Sequence, residues 1–210
     1  MKFHLLTIFP QFFDGPFQHG VVARGARYGA LDLIVHDLRK WTYDLHRTVD
    51  DRPFGGGEGM LLRVDVLHSA WQSITARSGS PEPARRRTIL MSPQGPRLTQ
   101  SKAKELAQYD ELILVCGHYE GVDERFIELC CDEELSIGDY VLTGGELPAL
   151  VVTDCVARLI PGRGRGGVSA GRKQLPAGSD RSQARHPDQS VNLVHGSGEG
   201  DRHRLAPIRR

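Results

Sequence analysis

The chain has 210 residues, of which 39% are hydrophobic and 25% charged, and its formal net charge is +1. This length and apolar content allow one domain with an appendage, or two small domains, folded around a core that needs no disulfide bonds. The balanced charge excludes a generally basic nucleic-acid-binding protein, so an RNA partner must be contacted through a local patch.

The first half of the chain alternates strand-like and helix-like segments. The apolar run from Phe3 to Phe9 predicts a strand ended by Pro10, and it is far too short for a membrane span or a leader. Residues 16–28 suit a helix, and strand character resumes at 31–35. Because no membrane span or leader is predicted, we expect no membrane partner; the cysteine pattern described below predicts a cytoplasmic protein.

A second alternation follows. Residues 63–77 predict an amphipathic helix, because their apolar positions recur every three or four residues. A Ser/Gly/Pro-rich surface loop is expected at 78–83. Strands are then predicted at 88–91 and 111–116, and helices at 99–109 and 122–130. Strands alternating with helices predict an α/β fold, with a parallel sheet covered by helices on both faces.

The helix around and after Pro148 has almost no polar side. Proline fits the first turn of a helix, where its missing N–H costs nothing. Burying each aliphatic side chain of this helix contributes about 1.5–3 kcal/mol, against a usual domain stability of about 5–15 kcal/mol. We therefore expect the helix to be buried, in the core or against a second subunit, and the protein to be an oligomer.

The composition changes abruptly after Gly162. Residues 163–210 contain no Phe, Trp or Tyr and are rich in Arg, Gly, Ser, Pro and Asp. Such a stretch cannot offset a backbone ordering entropy of about 1–2 kcal/mol per residue, so we expect it to be disordered in isolation. The string G-x-G-x-x-G at 162–167 follows a helix rather than a strand, which argues against a dinucleotide site.

The four cysteines, Cys116, Cys130, Cys131 and Cys155, show no C-x-x-C spacing. Three of them lie in or beside apolar runs, where a free cysteine behaves as a small hydrophobe. We predict that all four are reduced and buried. Metal ligation is the alternative, but no histidine lies at ligand spacing from them, so no metal site is predicted.

Three glycine-containing loops follow predicted strands, at 91–95, 116–121 and 136–148. Open α/β sheets usually bind ligands where such loops meet, at the carboxyl ends of the strands. The pattern suits a nucleoside-sized cofactor held by backbone groups between apolar walls such as Leu142 and Pro148. For any one of these loops, a tight structural connection remains the alternative.

The segment 48–60 is charged and too glycine-rich to be core. It suits a mobile lid over a site. Its charged residues Asp50, Asp51 and Arg52 suit a solvated surface run equally well.

Four motifs in order, T-V-D-D-R-P-F-G-G-G-E-G-M, M-S-P-Q-G, C-G-H-Y-E-G-V-D-E-R and S-I-G-D-Y-V-L-T-G-G-E-L-P, closely resemble the bacterial tRNA guanine-N1 methyltransferases of the TrmD type. The resemblance covers residues 1–162. It implies a SPOUT-type α/β fold with a deep trefoil knot, a homodimer, and S-adenosylmethionine bound by the knot loops. The implied cofactor-binding residues are Leu90, Met91, Pro93, Gly117, Tyr119, Glu120, Ile137, Gly138, Asp139, Tyr140, Val141, Leu142, Gly144, Gly145 and Pro148. Asp50, Asp51 and Arg52 would belong to the lid over the substrate.

The resemblance also implies the reaction. The substrate would be the guanine just 3′ of the tRNA anticodon, methylated at N1, with Mg²⁺ assisting. A base must remove the N1 proton, and negative charge then builds on O6, which an arginine can stabilise. Arg158 matches the family's arginine; its ordinary structural role would be to complement a helix dipole.

The family's catalytic base has no match. The corresponding position falls near Lys173, and Asp180 is the nearest carboxylate. The family's helical tRNA-binding domain is also missing, so residues 163–210 are interpreted as a non-family tail, either an out-of-frame reading or a genuine replacement. We therefore expect impaired methyl transfer. The alternatives are a knotted, dimeric S-adenosylmethionine-binding protein without catalysis and an RNA-binding module driven by the tail.

Overall fold

Five parallel strands form the central sheet of the computed structural model, which describes residues 1–53, 55–56, 58–76 and 85–160. All of them belong to one compact unit. The strands, in chain order, are β1 (Lys2–Thr7), β2 (Asp32–Asp37), β3 (Asp50–Asp51), β4 (Leu61–Leu62), β5 (Arg86–Met91), β6 (Glu111–Cys116) and β7 (Glu133–Leu135). The sheet order is β2-β1-β6-β5-β7, and β3 and β4 form a separate antiparallel hairpin.

Helices cover both faces of the sheet. They are α1 (Gly20–Arg27), α2 (Val64–Thr75), α3 (Gln100–Leu106), α4 (Glu124–Cys130) and α5 (Glu146–Ala157). Single 3₁₀ turns occur at Pro10–Phe13, Pro16–Gln18 and Leu38–Trp41. The predicted α/β fold with a covered parallel sheet is confirmed. The segment predicted as one helix at 16–28 is a 3₁₀ turn followed by α1, with His19 extended between them.

The alternation of side chains along β6 divides the core into two layers. Leu112, Leu114 and Cys116 pack with α1, α3 and α5 on one face. Ile113 and Val115 pack with α2 and α4 on the other. All six residues of β6 are buried, as expected for a central parallel strand covered on both sides.

Helix α5 packs one side against the core, while the covering of its other side by a second subunit stays a prediction. Its buried residues include Ala149, Val152 and Val156. Leu147 and Val151 remain 47% and 40% exposed within one chain. The cysteine prediction also needs correction, because Cys116 and Cys130 are buried and all four thiols are free, but Cys131 and Cys155 are only half-buried. Cys131 directly follows α4 and Cys155 lies in the last turn of α5, and both are partly accessible to solvent.

Candidate functional site

Three loops enclose a cavity of about 520 Å³ at the carboxyl edge of the sheet. We call them loop 1 (92–98, after β5), loop 2 (117–123, after β6) and loop 3 (136–145, after β7). Met91 pairs with both Cys116 and Leu135, so the three strands end at the same level. Because β6, β5 and β7 are neighbours, the loops meet there.

The loops contact one another through backbone atoms. The Gly145 N–H donates to the carbonyl oxygen of Gly117 at 2.9 Å, which joins loop 3 to loop 2. The Ser136 N–H donates to the Pro96 carbonyl at 3.0 Å, which joins loop 3 to loop 1. A Cβ atom on Gly145 would lie 2.5 Å from the Cα atom of Cys116. Glycine is therefore required at 145 by the close approach of two main chains.

The cavity wall combines apolar side chains with accessible backbone. Leu90, Ile137, Leu142 and Pro148 supply apolar surface. Three carboxylates, those of Glu120, Glu124 and Glu134, also line it. This mixture, and a volume within the usual range of about 300–1,000 Å³, is typical of a pocket for a small organic ligand.

A buried polar network lies in the wall between loop 2 and the start of α5. The carboxylate of Glu146 accepts the Thr7 hydroxyl at 2.6 Å and lies 2.6 Å from His118 Nε2. The side chain of Glu146 is buried, and so is Thr7. Burial, with a smaller contribution from the Glu146 charge, raises the pKa of the Cys116 thiol well above its ordinary value.

Loop 2 holds a strained residue. Tyr119 has φ of 61°, in the left-handed region that side chains other than glycine rarely adopt. The residue is 49% exposed and borders the cavity. Burial of the hydroxyl end and the charge of Asp50 raise the pKa of Tyr119.

The hairpin β3–β4 packs against loop 2. The Leu62 N–H donates to the Gly121 carbonyl at 3.0 Å, and the Glu120 N–H donates to the Met60 carbonyl at 3.0 Å. Val49 and Leu62 are buried. The expectation that 48–60 is too glycine-rich to be core is therefore wrong at its start, because Val49 is buried and Asp50 and Asp51 pair with β4.

The predicted lid residues lie outside the large cavity. Asp51 and Arg52 line a separate cavity of about 300 Å³, which Leu61 shares with the large one. Asp50 lines neither. The hairpin thus stands between the two cavities.

The structure brings together all but one of the predicted cofactor-binding residues. Those that line the large cavity are Leu90, Met91, Pro93, Gly117, Tyr119, Glu120, Ile137, Gly138, Tyr140, Val141, Leu142, Gly144, Gly145 and Pro148. Asp139 does not line it, because its side chain is 87% exposed and paired with Arg97 at 2.9 Å. That these residues bind a cofactor stays a prediction.

Arg158 lies away from the cavity. It follows the last residue of α5, whose first turn borders the cavity, and its side chain is exposed. Twelve helical residues separate the two ends by about 18 Å. Lys173, Asp180 and the tail 163–210 lie outside the described residues, as does the predicted loop at 78–83.

Sequence reasoning missed Thr7 and Glu146 as parts of the site. They are 139 positions apart in sequence and meet only through the fold. Within the described ranges, no group of three or more His, Cys, Asp or Glu side chains is arranged to hold a metal ion. In the same ranges no helix has the length and apolarity to cross a membrane.

The family model and the similar proteins that match this chain all name the same family. The family model described as tRNA (Guanine-1)-methyltransferase TrmD matches residues 1–168. Proteins named tRNA (guanine-N(1)-)-methyltransferase from Chloroflexus aurantiacus, Heliobacterium modesticaldum and Geobacter sulfurreducens are 50%, 48% and 48% identical over 162 residues. The match covers 77% of this chain and 62%, 60% and 64% of those relatives, so the chain spans less than two thirds of their length.

Proposed function

The chain belongs to the TrmD family of tRNA (guanine-1)-methyltransferases, and from this premise we propose that it binds S-adenosylmethionine and methylates N1 of the guanine 3′ of the tRNA anticodon, at a reduced rate because the family's catalytic base has no match in this sequence. Residues 1–162 would form the methyltransferase domain. Since tRNA is a cytoplasmic substrate in bacteria, we propose that the chain acts in the cytoplasm.

The observation that carries the proposal is the cavity built by loops 1, 2 and 3. It offers apolar surface at Leu90 and Pro148 for an adenine ring, and main-chain donors and acceptors for its edges. Gly117 brings backbone to the cavity surface without crowding, because a Cβ atom there would meet Val122, Leu90 and the Met91 carbonyl oxygen at ordinary contact distances. The residues present therefore fit a nucleoside cofactor.

Bound in this cavity, S-adenosylmethionine would supply an electrophilic methyl group on a positively charged sulfonium. The chain's own contribution is to hold the two reactants in line. Removal of the N1 proton leaves negative charge on guanine O6. Arg158 would stabilise that charge, because a guanidinium stays protonated and offers several donors.

The position of Arg158 supports a homodimer. From Pro148, which lines the cavity, to Arg158 the helix rises by about 15 Å, so Arg158 would reach a cavity in a second subunit rather than that of its own chain. Leu147 and Val151, one turn apart on α5, are exposed apolar side chains that such a subunit would cover.

The course of loop 3 supports the trefoil knot implied by the family. After β7 at the sheet edge, the chain returns past β5 and β6 and enters α5, which packs against β6 and β1. The returning segment is hydrogen-bonded to loop 1 at Ser136 and to loop 2 at Gly145. In a trefoil knot the chain passes through an earlier loop, and a segment bonded to two earlier loops is consistent with such a passage.

The lack of an identified catalytic base favours a second candidate function. No aspartate is among the described residues that line the cavity, and the family's base position falls at Lys173, outside them. The second candidate is a knotted, dimeric protein that binds S-adenosylmethionine without transferring the methyl group.

Binding and transfer assays on the full chain separate these functions. Calorimetry should show one S-adenosylmethionine bound per chain. Radiolabelled methyl transfer is then measured on a tRNA transcript, with and without Mg²⁺, and on a control transcript with adenine replacing the target guanine. Transfer to the first transcript alone supports the methyltransferase, binding without transfer supports the second candidate, and absence of binding overturns both.

Sedimentation tests the proposed dimer. The double variant Leu147→Asp/Val151→Asp places two charges on the exposed side of α5 and should sediment as a monomer. The control, Leu129→Asp on α4, changes an apolar side chain that is 73% exposed and should remain dimeric. A monomeric wild-type chain would contradict the proposal.

A further inference from the structure

Glu146 is a buried carboxylate at the first helical position of α5. It is only 3% exposed. Burying a carboxylate is costly unless hydrogen-bond donors replace the lost water. Moving a donor away would leave the charge unpaired, so the residues that donate to Glu146 are fixed in position.

Two side chains from other elements supply these donors. Thr7, at the end of β1, donates its hydroxyl hydrogen to Glu146 Oε1 at 2.6 Å and accepts the Phe9 N–H at 2.8 Å. His118 Nε2 lies 2.6 Å from Glu146 Oε2. A carboxylate only accepts, so Nε2 carries the proton in this pair. The resulting chain of hydrogen bonds runs from the Phe9 backbone through Thr7 and Glu146 to His118.

The cavity end of this chain is His118. Its side chain lines the cavity, and its ring meets the edge of Phe9 at a centroid distance of 4.9 Å. A Cβ atom on Gly144 would collide with the His118 ring and crowd the Glu146 carboxylate. Loop 3 therefore packs directly on the His118–Glu146 pair.

We infer that Thr7, Glu146 and His118 form a positioning relay that holds loops 2 and 3 at the spacing needed for cofactor binding. The inference rests on the proposed function. Thr7 is not among the residues that line the cavity, so it affects the cofactor through its two hydrogen-bond partners, Glu146 and Phe9, both of which contact His118. The relay also ties β1 to loop 2 and α5, three segments that are distant in sequence.

Thr7 gives the sharpest test. Thr7→Val removes the hydroxyl with little change in shape, and Thr7→Ser keeps it. We expect Thr7→Val to weaken S-adenosylmethionine binding roughly three- to tenfold, and Thr7→Ser to restore most of it. The dissociation constant is measured by calorimetry at a temperature where circular dichroism shows both variants fully folded.

A matched control separates positioning from general stability. Thr88 is another buried threonine, and its hydroxyl accepts the Trp71 indole N–H at 3.1 Å, away from the cavity. Thr88→Val should lower the melting temperature while the cofactor dissociation constant stays within about twofold of wild type. Equal weakening of binding by Thr7→Val and Thr88→Val would overturn the relay.

A second pair of variants keeps the inference testable if Thr7→Val does not fold. His118→Gln can still donate to Glu146, whereas His118→Leu cannot. We expect the leucine variant to weaken cofactor binding more than the glutamine variant. Where Thr7→Val does fold, a double-mutant cycle adds a further test: Thr7→Val and His118→Leu should be less than additive, because either one breaks the same relay.

The outcomes distinguish the relay from the function on which it rests. Absence of S-adenosylmethionine binding by the wild-type chain would reject the proposed function. Wild-type binding with unchanged affinity in both Thr7→Val and His118→Leu would reject the relay alone. Weakened, non-additive binding in the two variants supports it.

Discussion

The two ends of the central sheet are built by different means. At the carboxyl end, loops 1, 2 and 3 meet through backbone hydrogen bonds and glycines that leave no room for a Cβ atom. At the amino end, long charged side chains close the sheet. There Glu111 accepts from Arg86 at 2.7 Å and lies 3.4 Å from Lys2.

Because of this difference, the two ends of the sheet differ in how precisely their atoms are positioned and in how well they tolerate substitutions. A contact between two main chains cannot move aside, so the carboxyl end fixes the shape of its cavity but accepts few substitutions. Charged side chains at the amino end adjust their rotamers and partly face solvent, so changes there cost stability without reshaping a cavity.

Gly145→Ala should have the largest effect. The added Cβ atom would lie 2.5 Å from Cys116 Cα and 2.8 Å from Gly117 N, both backbone atoms, so loops 2 and 3 must separate. We expect a loss of about 1–3 kcal/mol in the free energy of unfolding and a weakening of cofactor binding beyond tenfold. Urea unfolding and calorimetry measure the two effects.

Gly15→Ala is the matched control. A Cβ atom at Gly15 meets nothing within 4 Å, and its φ of −76° suits any residue. Its unfolding free energy and cofactor affinity should stay close to wild type. If Gly15→Ala and Gly145→Ala lowered stability and cofactor affinity equally, close contact between main chains could not explain the effect at Gly145.

Glu111→Ala should have a smaller effect at the opposite end. Burial alone would raise the pKa of Glu111, but its hydrogen bond and charge interaction with Arg86 lower it on balance, so the carboxylate is charged in the folded protein. Removing it should cost about 1–2 kcal/mol, because a mostly buried ion pair is broken. Cofactor affinity should not change. A large loss of cofactor binding would contradict the independence of the two ends.

The pH dependence of stability tests the same amino end. Burial is the main cause that lowers the pKa of His4, and it outweighs the opposing charge of Glu111. The folded protein therefore holds this proton less tightly than the unfolded chain, so His4 destabilises the fold as pH falls below the ordinary histidine range near about 6.5. The urea midpoint should drop between pH 7.5 and pH 5.5.

The control for this effect is His4→Gln, which has no titratable group. Its urea midpoint should fall less over the same pH interval. An identical pH dependence in wild type and variant would assign the effect to other residues. His36, whose Nε2 lies 3.0 Å from His4 Nδ1, is the neighbour to examine in that event.

Arg97→Ala should have the smallest effect, although it lies at the carboxyl end. Its ion pair with Asp139 is exposed, and such pairs contribute less than about 1 kcal/mol. Loop 1 keeps its backbone bonds to Ser136 without it. We expect unchanged cofactor affinity by calorimetry. A tenfold loss would show that side chains, not main-chain contacts, fix the loops.

Much of the fold could be predicted from hydrophobic periodicity. The strand at 111–116 matches β6, and the apolar face of 63–77 matches the buried face of α2, because both patterns are long enough to show their period. The two-residue strands β3 and β4 show no period of their own. β7 has only three residues, two of them glutamates, and becomes a strand by pairing with β5.

The candidate site, like the fold, has parts that could be predicted from the sequence and parts that could not. The meeting of loops 1 and 2 could be predicted from the strands before them, because loops after parallel strands share one edge of the sheet. Loop 3 is grouped with them by its glycine pattern, and the strand before it, β7, is not predicted from the sequence. The relay of Thr7, Glu146 and His118 could not, because each residue has ordinary local surroundings in sequence. The exposure of Asp139 could not be predicted from the sequence either, because a residue between two cavity-lining neighbours can still point outward.

Hydrogen exchange with and without S-adenosylmethionine tests the central claim most directly. If the three loops together form the cofactor site, added cofactor should slow amide exchange in 117–121 and 136–145 and around Leu90 and Met91, while the amino ends of β1, β5 and β6 change little. Protection confined to one loop, or found only away from all three, would contradict the account.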